Sequence, residues 1–293
     1  MTSNNKRIIL VNLLLLCLLI SLNVLLVLFV FLQTPRTQAY PTLHETHFVA
    51  HGRNLTKDYP DNTIGLFKLA YEKGYKIIEC DVIFTKDLVP ILSHEDSLHL
   101  LLPHACKENR QNISELSYDE ICNYNLSSRL DTVIRIETLK SVLEYAKHHN
   151  LCVELDMEKH GFGREKVQIL YDLVVSLGMV DKVIWEVSNR DFWHLASLDR
   201  NLIYQLDHTW DYDLIDKLCK RQYFAGTIIL SKWFGNFENI DWVEHKNIIE
   251  YAHKRGFLMK CSVVNDSNFA KKMIDCNVDM MTTDVLTDGL FDR

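Results

Sequence analysis

The stretch Lys76-Ile-Ile-Glu-Cys-Asp-Val-Ile-Phe-Thr85 has the composition of a buried β-strand that carries two acidic side chains. Its β-branched and aromatic residues favour a strand, and an apolar run of this kind is typical of a parallel sheet covered by helices. Side chains alternate between the two faces of a strand, so Glu79 and Asp81 share one face and Cys80 points to the other. Carboxylates in such a strand are costly to bury unless they are paired or bind a metal.

Strand-like and helix-like segments alternate on both sides of this stretch. The predicted strands span residues 47–52, 76–85, 151–157, 183–187, 202–206, 227–230, 257–264 and 278–282, with a short extended piece at 89–93. Eight such units over roughly 250 residues predict an α/β fold, a (β/α)8 TIM barrel. A doubly wound open sheet is the alternative, but it would more often show a glycine-rich phosphate loop after the first strand.

An uncharged apolar segment, residues 8–32, precedes the predicted barrel. A transmembrane helix needs roughly 20 apolar residues, whereas the apolar part of a cleaved signal peptide covers roughly 7–15. Lys6 and Arg7 precede the segment, and only Arg36 follows it closely. We therefore predict a single-pass anchor with residues 1–7 in the cytoplasm, because positive flanks stay on that side.

The domain that follows the anchor is expected on the lumenal or extracellular side. Residues 33–45 form the predicted linker, and the barrel covers 46–293. Within it, residues 98–135 are rich in polar and turn residues, interrupt the alternation, and are predicted to be an insertion. Asn112 and Asn125 in this segment lie in Asn-x-Ser/Thr sequons and are candidate glycosylation sites.

Two further sequons, at Asn54 and Asn265, fall near the predicted mouth of the barrel. A glycan there would crowd a substrate, so we expect at least one of these two asparagines to be unmodified.

Composition narrows the range of partners. The chain has a formal net charge of −7, a sequence pI near 6.0 and no run rich in Lys or Arg, so nucleic-acid binding is not expected. The cysteines after the apolar segment form no CxxC pair or cluster spaced with histidines, which gives a zinc site little support.

A second pair of carboxylates occurs in the predicted strand 151–157. Glu154 and Asp156 share one face of it, as Glu79 and Asp81 do in their strand. Active sites of TIM barrels lie at the carboxyl ends of the strands, so these side chains are expected to converge. Converging oxygens without cysteine favour a hard cation, Mg²⁺ or Ca²⁺; the alternative for the first pair is a salt bridge across the barrel to Lys or Arg.

Two histidines stand at the same predicted edge. His51 ends the first strand, and His94 ends the extended piece that follows the second. Both are therefore candidates for a general acid and a general base near neutral pH.

The order of these motifs resembles the glycerophosphodiester phosphodiesterase family of the PLC-like phosphodiesterase superfamily. The matching segments run from the first predicted strand to the last: Ala50-His51-Gly-Arg, Tyr59-Pro60-Asp61-Asn62-Thr63, Glu79-Cys-Asp81-Val, Thr85-Lys86-Asp87, Ser93-His94, Ile136-Glu-Thr-Leu139, Val153-Glu154 and Asn277-Val-Asp-Met-Met-Thr-Thr-Asp284.

The resemblance implies a metal-dependent phosphodiesterase. It makes Glu79, Asp81 and Glu154 ligands of Mg²⁺ or Ca²⁺, and His51 and His94 the general base and acid. A hydroxyl or water would attack phosphorus in a glycerophosphodiester or lysophospholipid. The products would be an alcohol, such as choline or ethanolamine, and a glycerol phosphate or cyclic phosphate.

Some positions depart from the family pattern. The family usually has His-Arg-Gly, whereas this chain has His51-Gly52-Arg53, so the phosphate-binding arginine is displaced by one position. The lysine expected two residues after Glu154 is Asp156. Arg53 is retained as a predicted substrate ligand, and Lys159 is predicted to replace the missing lysine.

The same resemblance suggests that two acidic residues contact the cation through water. Asp61 replaces the glutamate of the family's Glu-Asn-Thr motif, and we predict that it and Asp156 contact the cation through water. The altered phosphate contacts leave two alternatives, a catalytically inactive barrel that serves as a membrane-tethered binding protein and a phospholipase like sphingomyelinase D, a distant relative with the same ExD arrangement. A phosphoinositide-type phospholipase C should not require the ExD pair in this form.

Overall fold

A computed structural model of the chain describes residues 12–25, 48–102, 110–126, 132–157, 161–199, 202–207, 211–220, 228–233 and 240–287. The predicted tail 1–7, the linker 33–45 and Lys159 lie outside these residues.

The strands form a closed ring. They are β1 (Phe48–Ala50), β2 (Ile77–Phe84), β3 (Pro90–Leu92), β4 (Cys152–Asp156), β5 (Val183–Glu186), β6 (Ile203–Asp207), β7 (Ile228–Trp233), β8 (Leu258–Ser262) and β9 (Met280–Thr283). Apart from β3, each pairs in parallel with its neighbours, and β1 pairs with both β2 and β9. The predicted parallel α/β barrel is confirmed, and an open sheet is excluded because β1 closes the ring.

Strand β3 lies outside the ring and pairs with β2 in the antiparallel direction. It corresponds to the short extended piece predicted at 89–93. Strand β3 runs back along β2. Residues 93–95, which follow β3, therefore lie near the acidic residues of β2. The backbone N–H of Ser93 donates to the carbonyl of Asp81 at 3.1 Å.

Helices connect the strands of the ring, and one more precedes the first strand. They are α1 (residues 12–25), α2 (Ile64–Glu72), α3 (Leu98–Leu101), α4 (Tyr118–Ile121), α5 (Leu139–His148), α6 (Gly163–Ser176), α7 (Asn189–Leu198), α8 (Tyr212–Lys220), α9 (Trp242–His253) and α10 (Ser267–Asp275). Helix α9 begins where the side chain of Asp241 accepts hydrogen bonds from the N–H groups of Val243 and Glu244, and α10 begins at Asp266 in the same way.

The interior of the ring is apolar at one end. A separate cluster of buried side chains fills it, contributed by Val49, Ile77, Cys152, Ile184, Ile203 and Met280. Each of these residues lies two positions before a polar residue on the same face of its strand. The apolar cluster is therefore nearer the amino-terminal ends of the strands than the polar side chains are. The floor of the barrel is therefore closed, and polar groups are confined to the carboxyl end.

The described part of the segment 98–135 has a hydrophobic core of its own. Side chains from β2 and β3 join it, and its buried members include Ile91, Leu98, Ile113 and Ile121. Asn112 is exposed, which suits a glycan, whereas the side chain of Asn125 accepts a hydrogen bond from the N–H of Ile134 at 2.9 Å. Glycosylation of either residue stays a prediction.

The apolar segment 8–32 is described only in part. Residues 12–25 form α1, whose leucine side chains are more than half exposed. Among the described residues, none of the helices has both the length and the apolar character that a membrane span requires. The membrane anchor predicted from the sequence remains a prediction.

Candidate active site

Three carboxylates converge at the carboxyl end of the barrel. Glu79 and Asp81 come from β2, and Asp156 ends β4, where it pairs in register with Asp81. One oxygen from each of these side chains lies within 4.8 Å of the others, and the first two residues are 5% exposed. We call this set the acidic cluster, and its spacing suits a hard cation with oxygen ligands.

Glu154 lies one step deeper in the barrel. It is fully buried, and its Oε1 accepts hydrogen bonds from Lys260 Nζ and, at 3.5 Å, from Gln205 Nε2. Gln205 also donates to Glu186 Oε2 at 2.6 Å, and Lys260 Nζ lies 3.9 Å from the same oxygen. We call Glu154, Glu186, Gln205 and Lys260 the ion-pair layer.

The metal roles predicted for Glu154 and Asp156 stay predictions, and the structure places the two side chains at different depths in the barrel. Glu154, predicted as a direct metal ligand, has the salt bridge to lysine that was the alternative for the β2 pair. Asp156, predicted to act only through water, contributes an oxygen to the acidic cluster. The reason is geometric: Asp156 lies two residues nearer the mouth on the same face of β4.

Burial changes the protonation of these groups. It raises the pKa of Glu79 well above its usual value, and the charges of Asp81 and Asp156 raise it further. Burial would lower the pKa of Lys260, but the carboxylates of Glu154 and Glu186 outweigh it and raise that pKa. The lysine is therefore held charged, whereas burial and the neighbouring carboxylates favour the protonated form of Glu79.

A divalent cation fits the donor set. Carboxylate oxygens at this spacing are the ligands that Mg²⁺ and Ca²⁺ prefer. In addition, Glu154 Oε2 is buried and has no hydrogen-bond partner within the described part of the chain. An orphan buried oxygen of this kind is expected where a metal-bound water belongs.

The loop after β1 explains the displaced arginine. The N–H of Gly52 donates to Glu79 Oε2 at 2.6 Å, and a Cβ at this position would lie 2.5 Å from the carbonyl oxygen of Glu79. No larger residue fits there on this backbone, so the arginine follows the glycine. Arg53 still reaches the site, because its Nε lies 3.5 Å from Asp81 Oδ2.

Asn62 orients Asp81 and was assigned no role from sequence. Its Nδ2 donates to Asp81 Oδ2 at 2.8 Å, and its Oδ1 accepts from the N–H of Asp81 at 2.9 Å. Asp61 instead accepts from the N–H of Asn54 at 2.9 Å, so it orders the loop between β1 and α2. The only sequence signal for Asp61 and Asn62 was that both belong to the family motif at residues 59–63.

His51 is buried beside the acidic cluster. Its Nε2 lies 4.0 Å from Glu79 Oε2, and its Nδ1 lies 2.6 Å from Asp284 Oδ1. Burial alone would raise the pKa of Asp284, but hydrogen bonds from His51 and Asn265 lower it below its usual value. An ionised Asp284 accepts a hydrogen bond from the Nδ1–H of His51, which leaves Nε2 as the nitrogen that can take up a proton.

Asp284 belongs to a family motif and Asn265 to a sequon, but neither residue was predicted to act in the site. Asn265 Nδ2 donates to Asp284 Oδ2 at 2.6 Å, and its Oδ1 accepts from the N–H of Asp284 at 2.8 Å. Their position just beyond the ends of β8 and β9 was the available signal. A glycan on Asn265 would remove this donor.

His94 lines the cavity beside Arg53 and is more open than His51. Its Nδ1 lies 2.7 Å from Glu95 Oε1, with side-chain exposures of 26% and 36% for the two residues. Ser93 fixes this turn, because its hydroxyl donates to the carbonyl of Glu95 at 2.7 Å. Glu95 was not predicted, since a charged residue after a strand end is common on any surface.

A cavity of about 230 Å³ adjoins these residues. Arg53 and His94 are part of its polar wall, and Leu100, Leu101 and Leu126 form an apolar wall from the segment 98–135. A closed parallel barrel that has His51 beside converging carboxylates, and a cavity lined by His94 and Arg53, has the fold and site of a (β/α)8-barrel enzyme.

Sequence comparison defines the family. Residues 53–287 match the glycerophosphoryl diester phosphodiesterase family. The chain belongs to this family and is a phosphoric diester hydrolase.

Individual relatives agree with this assignment. Glycerophosphodiester phosphodiesterase 1 from Bos taurus is 25% identical over 243 residues, which cover 76% of this chain and 70% of the bovine protein. The Homo sapiens protein of the same name is 26% identical over 239 residues, with the same coverage of 76% and 70%.

Solved structures share the fold. A glycerophosphodiester phosphodiesterase from Parabacteroides distasonis has a TM-score of 0.65 at 19% identity and covers 84% of this chain and 96% of its own. A phosphodiesterase from Oleispira antarctica, in complex with the product sn-glycerol-3-phosphate, has a TM-score of 0.65 at 17% identity and covers 81% and 92%.

Proposed function

We propose that this phosphodiesterase hydrolyses glycerophosphodiesters or lysophospholipids with the help of Mg²⁺ or Ca²⁺. The observation that carries the proposal is the convergence of Glu79, Asp81 and Asp156 next to His51. The product bound in the Oleispira antarctica structure supports a glycerol phosphate as one product here.

Acid–base roles follow from the two histidine–carboxylate pairs. A bound divalent cation supplies positive charge that offsets the charge on the phosphate oxygens. His51 Nε2 faces the acidic cluster and takes the proton from the attacking water or substrate hydroxyl. His94 lines the cavity and gives a proton to the leaving alcohol oxygen as its bond to phosphorus breaks. A water nucleophile yields glycerol phosphate, and a neighbouring hydroxyl yields a cyclic phosphate.

Arg53 is the proposed phosphate ligand. Its guanidinium lines the cavity and contacts only one carboxylate, that of Asp81, among the described residues. Lys159 is proposed as a second phosphate ligand on the strength of its sequence position alone, and it lies outside the described residues.

A hydrolysis assay with the full-length protein in detergent tests the proposal. Glycerophosphocholine and lysophosphatidylcholine are offered with Mg²⁺, with Ca²⁺ or with a chelator. We expect turnover of at least one substrate, loss of turnover in chelator, and a decrease of at least about 10²-fold for His51→Ala. The exposed His148, on α5, provides the matched control, and His148→Ala should retain wild-type activity.

Two results would contradict the proposal. Turnover that persists in chelator would exclude the metal role. Equal behaviour of the wild type and His51→Ala, with neither hydrolysing any phosphodiester, would favour a binding protein instead.

We further propose that residues 8–32 anchor the protein in a membrane and that the barrel lies on the lumenal or extracellular side. Expression of the full chain in eukaryotic cells and enzymatic removal of N-glycans tests the orientation. We expect a mobility shift that is smaller in the double variant Asn112→Gln/Asn125→Gln. A wild-type chain with no shift would contradict this orientation.

A further inference from the structure

We infer that the mouth of the barrel rests on a zwitterionic lipid surface, and that exposed apolar side chains around the mouth make the contact. The inference rests on the proposed action on lysophospholipids and on the proposed membrane anchor, and it concerns how the barrel receives such a substrate.

Four exposed apolar side chains stand around the mouth. They come from the loop between β1 and α2, the start of the segment 98–135, the first turn of α9 and the end of β9, and they are Tyr59, Leu100, Val243 and Val285. Each of them is between 36% and 72% exposed. We call these four residues the apolar rim.

Two members of the apolar rim adjoin the cavity. Leu100 lines it directly, and Tyr59 precedes Pro60 and Asp61, which also line it. The ring of Tyr59 covers Gly65 in α2, because a Cβ at that glycine would lie 2.4 Å from the ring. The tyrosine is therefore held in place on the surface beside the cavity.

The other two members lie further round the mouth. Val285 follows Asp284, whose Oδ1 lies 2.6 Å from Nδ1 of His51. Val243 is the second residue of α9, and a helix that follows a barrel strand begins at the carboxyl end of the ring. Strands β2, β1, β9, β8 and β7 are successive in the ring, so the four side chains form an arc. Apolar side chains exposed singly are normal, whereas a group of them beside a cavity indicates an interaction surface.

The rest of the chain favours a lipid surface as the partner. Residues 8–32 are the proposed anchor, and residues 33–47 join it to the amino-terminal end of β1. A chain of this length can span about 50 Å, whereas the eight residues of β2 span about 26 Å. The connection is therefore long enough for the mouth to turn towards the membrane that holds the anchor.

Charge distinguishes between kinds of lipid surface. The charged residues within two positions of a rim residue are mostly acidic: Asp58, Asp61, Asp241, Glu244 and Asp284, against Lys57. Anionic lipids attract basic segments and repel acidic ones, whereas zwitterionic head groups carry no net charge. The apolar rim therefore suits a zwitterionic surface such as phosphatidylcholine.

Leu100 joins the apolar rim to the cavity. It belongs to both, and Leu101 and Leu126 continue the apolar wall inside the cavity. A lysophospholipid can therefore leave the lipid surface along this wall without exposing its acyl chain to water. A water-soluble glycerophosphodiester gains nothing from the same path.

Amide hydrogen exchange of the full-length protein tests the contact without any need for turnover. The wild type is compared in phosphatidylcholine nanodiscs and in amphipol, a polymer that keeps the anchor in solution without a bilayer. We expect exchange in residues 57–61 and 284–287 to be slower in nanodiscs by at least about fivefold. Exchange in residues 173–178, on the opposite face of the barrel, should be equal in both.

Two variants separate the apolar rim from the rest of the surface. Val243→Asp/Val285→Asp should abolish the slower exchange, because an unpaired carboxylate is costly to bury against lipid. Its ratio of kcat/KM for lysophosphatidylcholine in nanodiscs to that for glycerophosphocholine should fall by about tenfold. Val175→Asp, at an exposed valine near the end of α6, is the matched control and should behave as the wild type does. Thermal unfolding in amphipol checks that both variants are folded.

The possible results have different meanings. Equal exchange in nanodiscs and amphipol, slower exchange at residues 173–178 instead, or a chain that does not enter nanodiscs would overturn the inference. Exchange that slowed in amphipol as the protein concentration rose would assign the apolar rim to a second copy of the chain and overturn the lipid contact. A rim protected in nanodiscs, with no hydrolysis of any phosphodiester, would leave the contact standing and refute the proposed activity.

Discussion

The acidic cluster and the ion-pair layer both contain buried carboxylates and share strand β4, but only the layer includes a positively charged side chain. On β4, Asp156 belongs to the cluster and Glu154, two residues earlier, belongs to the layer. The layer contains its own cation, Lys260, which donates to Glu154 and Gln205. The cluster gathers like charges whose mutual repulsion a ligand is needed to offset.

This difference separates binding from stability within one barrel. Hydrogen bonds link the members of the ion-pair layer to one another, so the layer contributes to the stability of the folded state. The like charges of the acidic cluster lower the stability of the folded state, which is typical of functional sites. Variants of the two regions should therefore change stability in opposite directions.

The largest effect is expected in the layer. Lys260→Met leaves Glu154 buried without its cation, and we expect a loss of about 3–5 kcal/mol in the free energy of unfolding. Urea denaturation of the wild type and variant measures it. Addition of Glu154→Gln should recover most of the loss, and a double variant no more stable than Lys260→Met alone would contradict the pairing.

Cation binding should give the next largest effect. At a Ca²⁺ or Mg²⁺ concentration about 100 times its dissociation constant, the folded state gains about 2.7 kcal/mol. The midpoint of thermal unfolding should rise with cation concentration in the wild type and stay fixed in Asp156→Asn. An equal rise in both proteins would place the cation elsewhere.

A smaller effect of opposite sign is expected for Glu79→Gln. Glutamine removes one of the like charges and keeps an oxygen for the N–H of Gly52, so stability in chelator at pH 8 should rise by about 1 kcal/mol. Turnover should fall by at least about 10²-fold, because a proposed metal ligand is lost. Lower stability together with lower activity would show that this carboxylate belongs to the structure rather than to the site.

The smallest effect is expected at an ion pair outside both regions. His253 Nε2 lies 2.8 Å from Asp279 Oδ2, and this hydrogen bond raises the pKa of the histidine above its usual 6.5. The pair therefore stabilises the fold fully below pH 6.5 and loses its contribution as the pH rises through the raised pKa.

His253→Gln should cost about 1 kcal/mol at pH 6 and less at pH 9, measured by urea denaturation. The same change at exposed His148 should have no pH-dependent effect. A cost for His253→Gln that is independent of pH would show that packing, and not charge, is what the residue contributes.

The sequence predicted the barrel because the apolar pattern of each strand and helix is local. It also placed Glu79, His51 and His94 near the mouth, since carboxyl ends of parallel strands meet at one edge. The salt bridge between Glu154 and Lys260 was not predictable, because it joins residues 106 positions apart in the chain.

Asp284 and Asn265 illustrate the same limit. Each has a function only through the other and through His51, which lies 233 residues before Asp284. A single sequence contains no sign of such contacts between strands that are adjacent only in the closed ring. Local spacing predicts which edge of the fold a residue reaches, but not which neighbour it meets there.

The antiparallel strand β3 attaches the two histidines to different parts of the molecule. His51 follows a strand of the ring, whereas His94 follows β3, whose Ile91 packs in the core of the segment 98–135. The same segment supplies the apolar cavity wall with Leu100. Exchange of this one segment between homologues would alter the side of the cavity that receives the departing alcohol, while the ring keeps its reacting groups. The architecture is modular, and new specificities can evolve by replacing one surface unit.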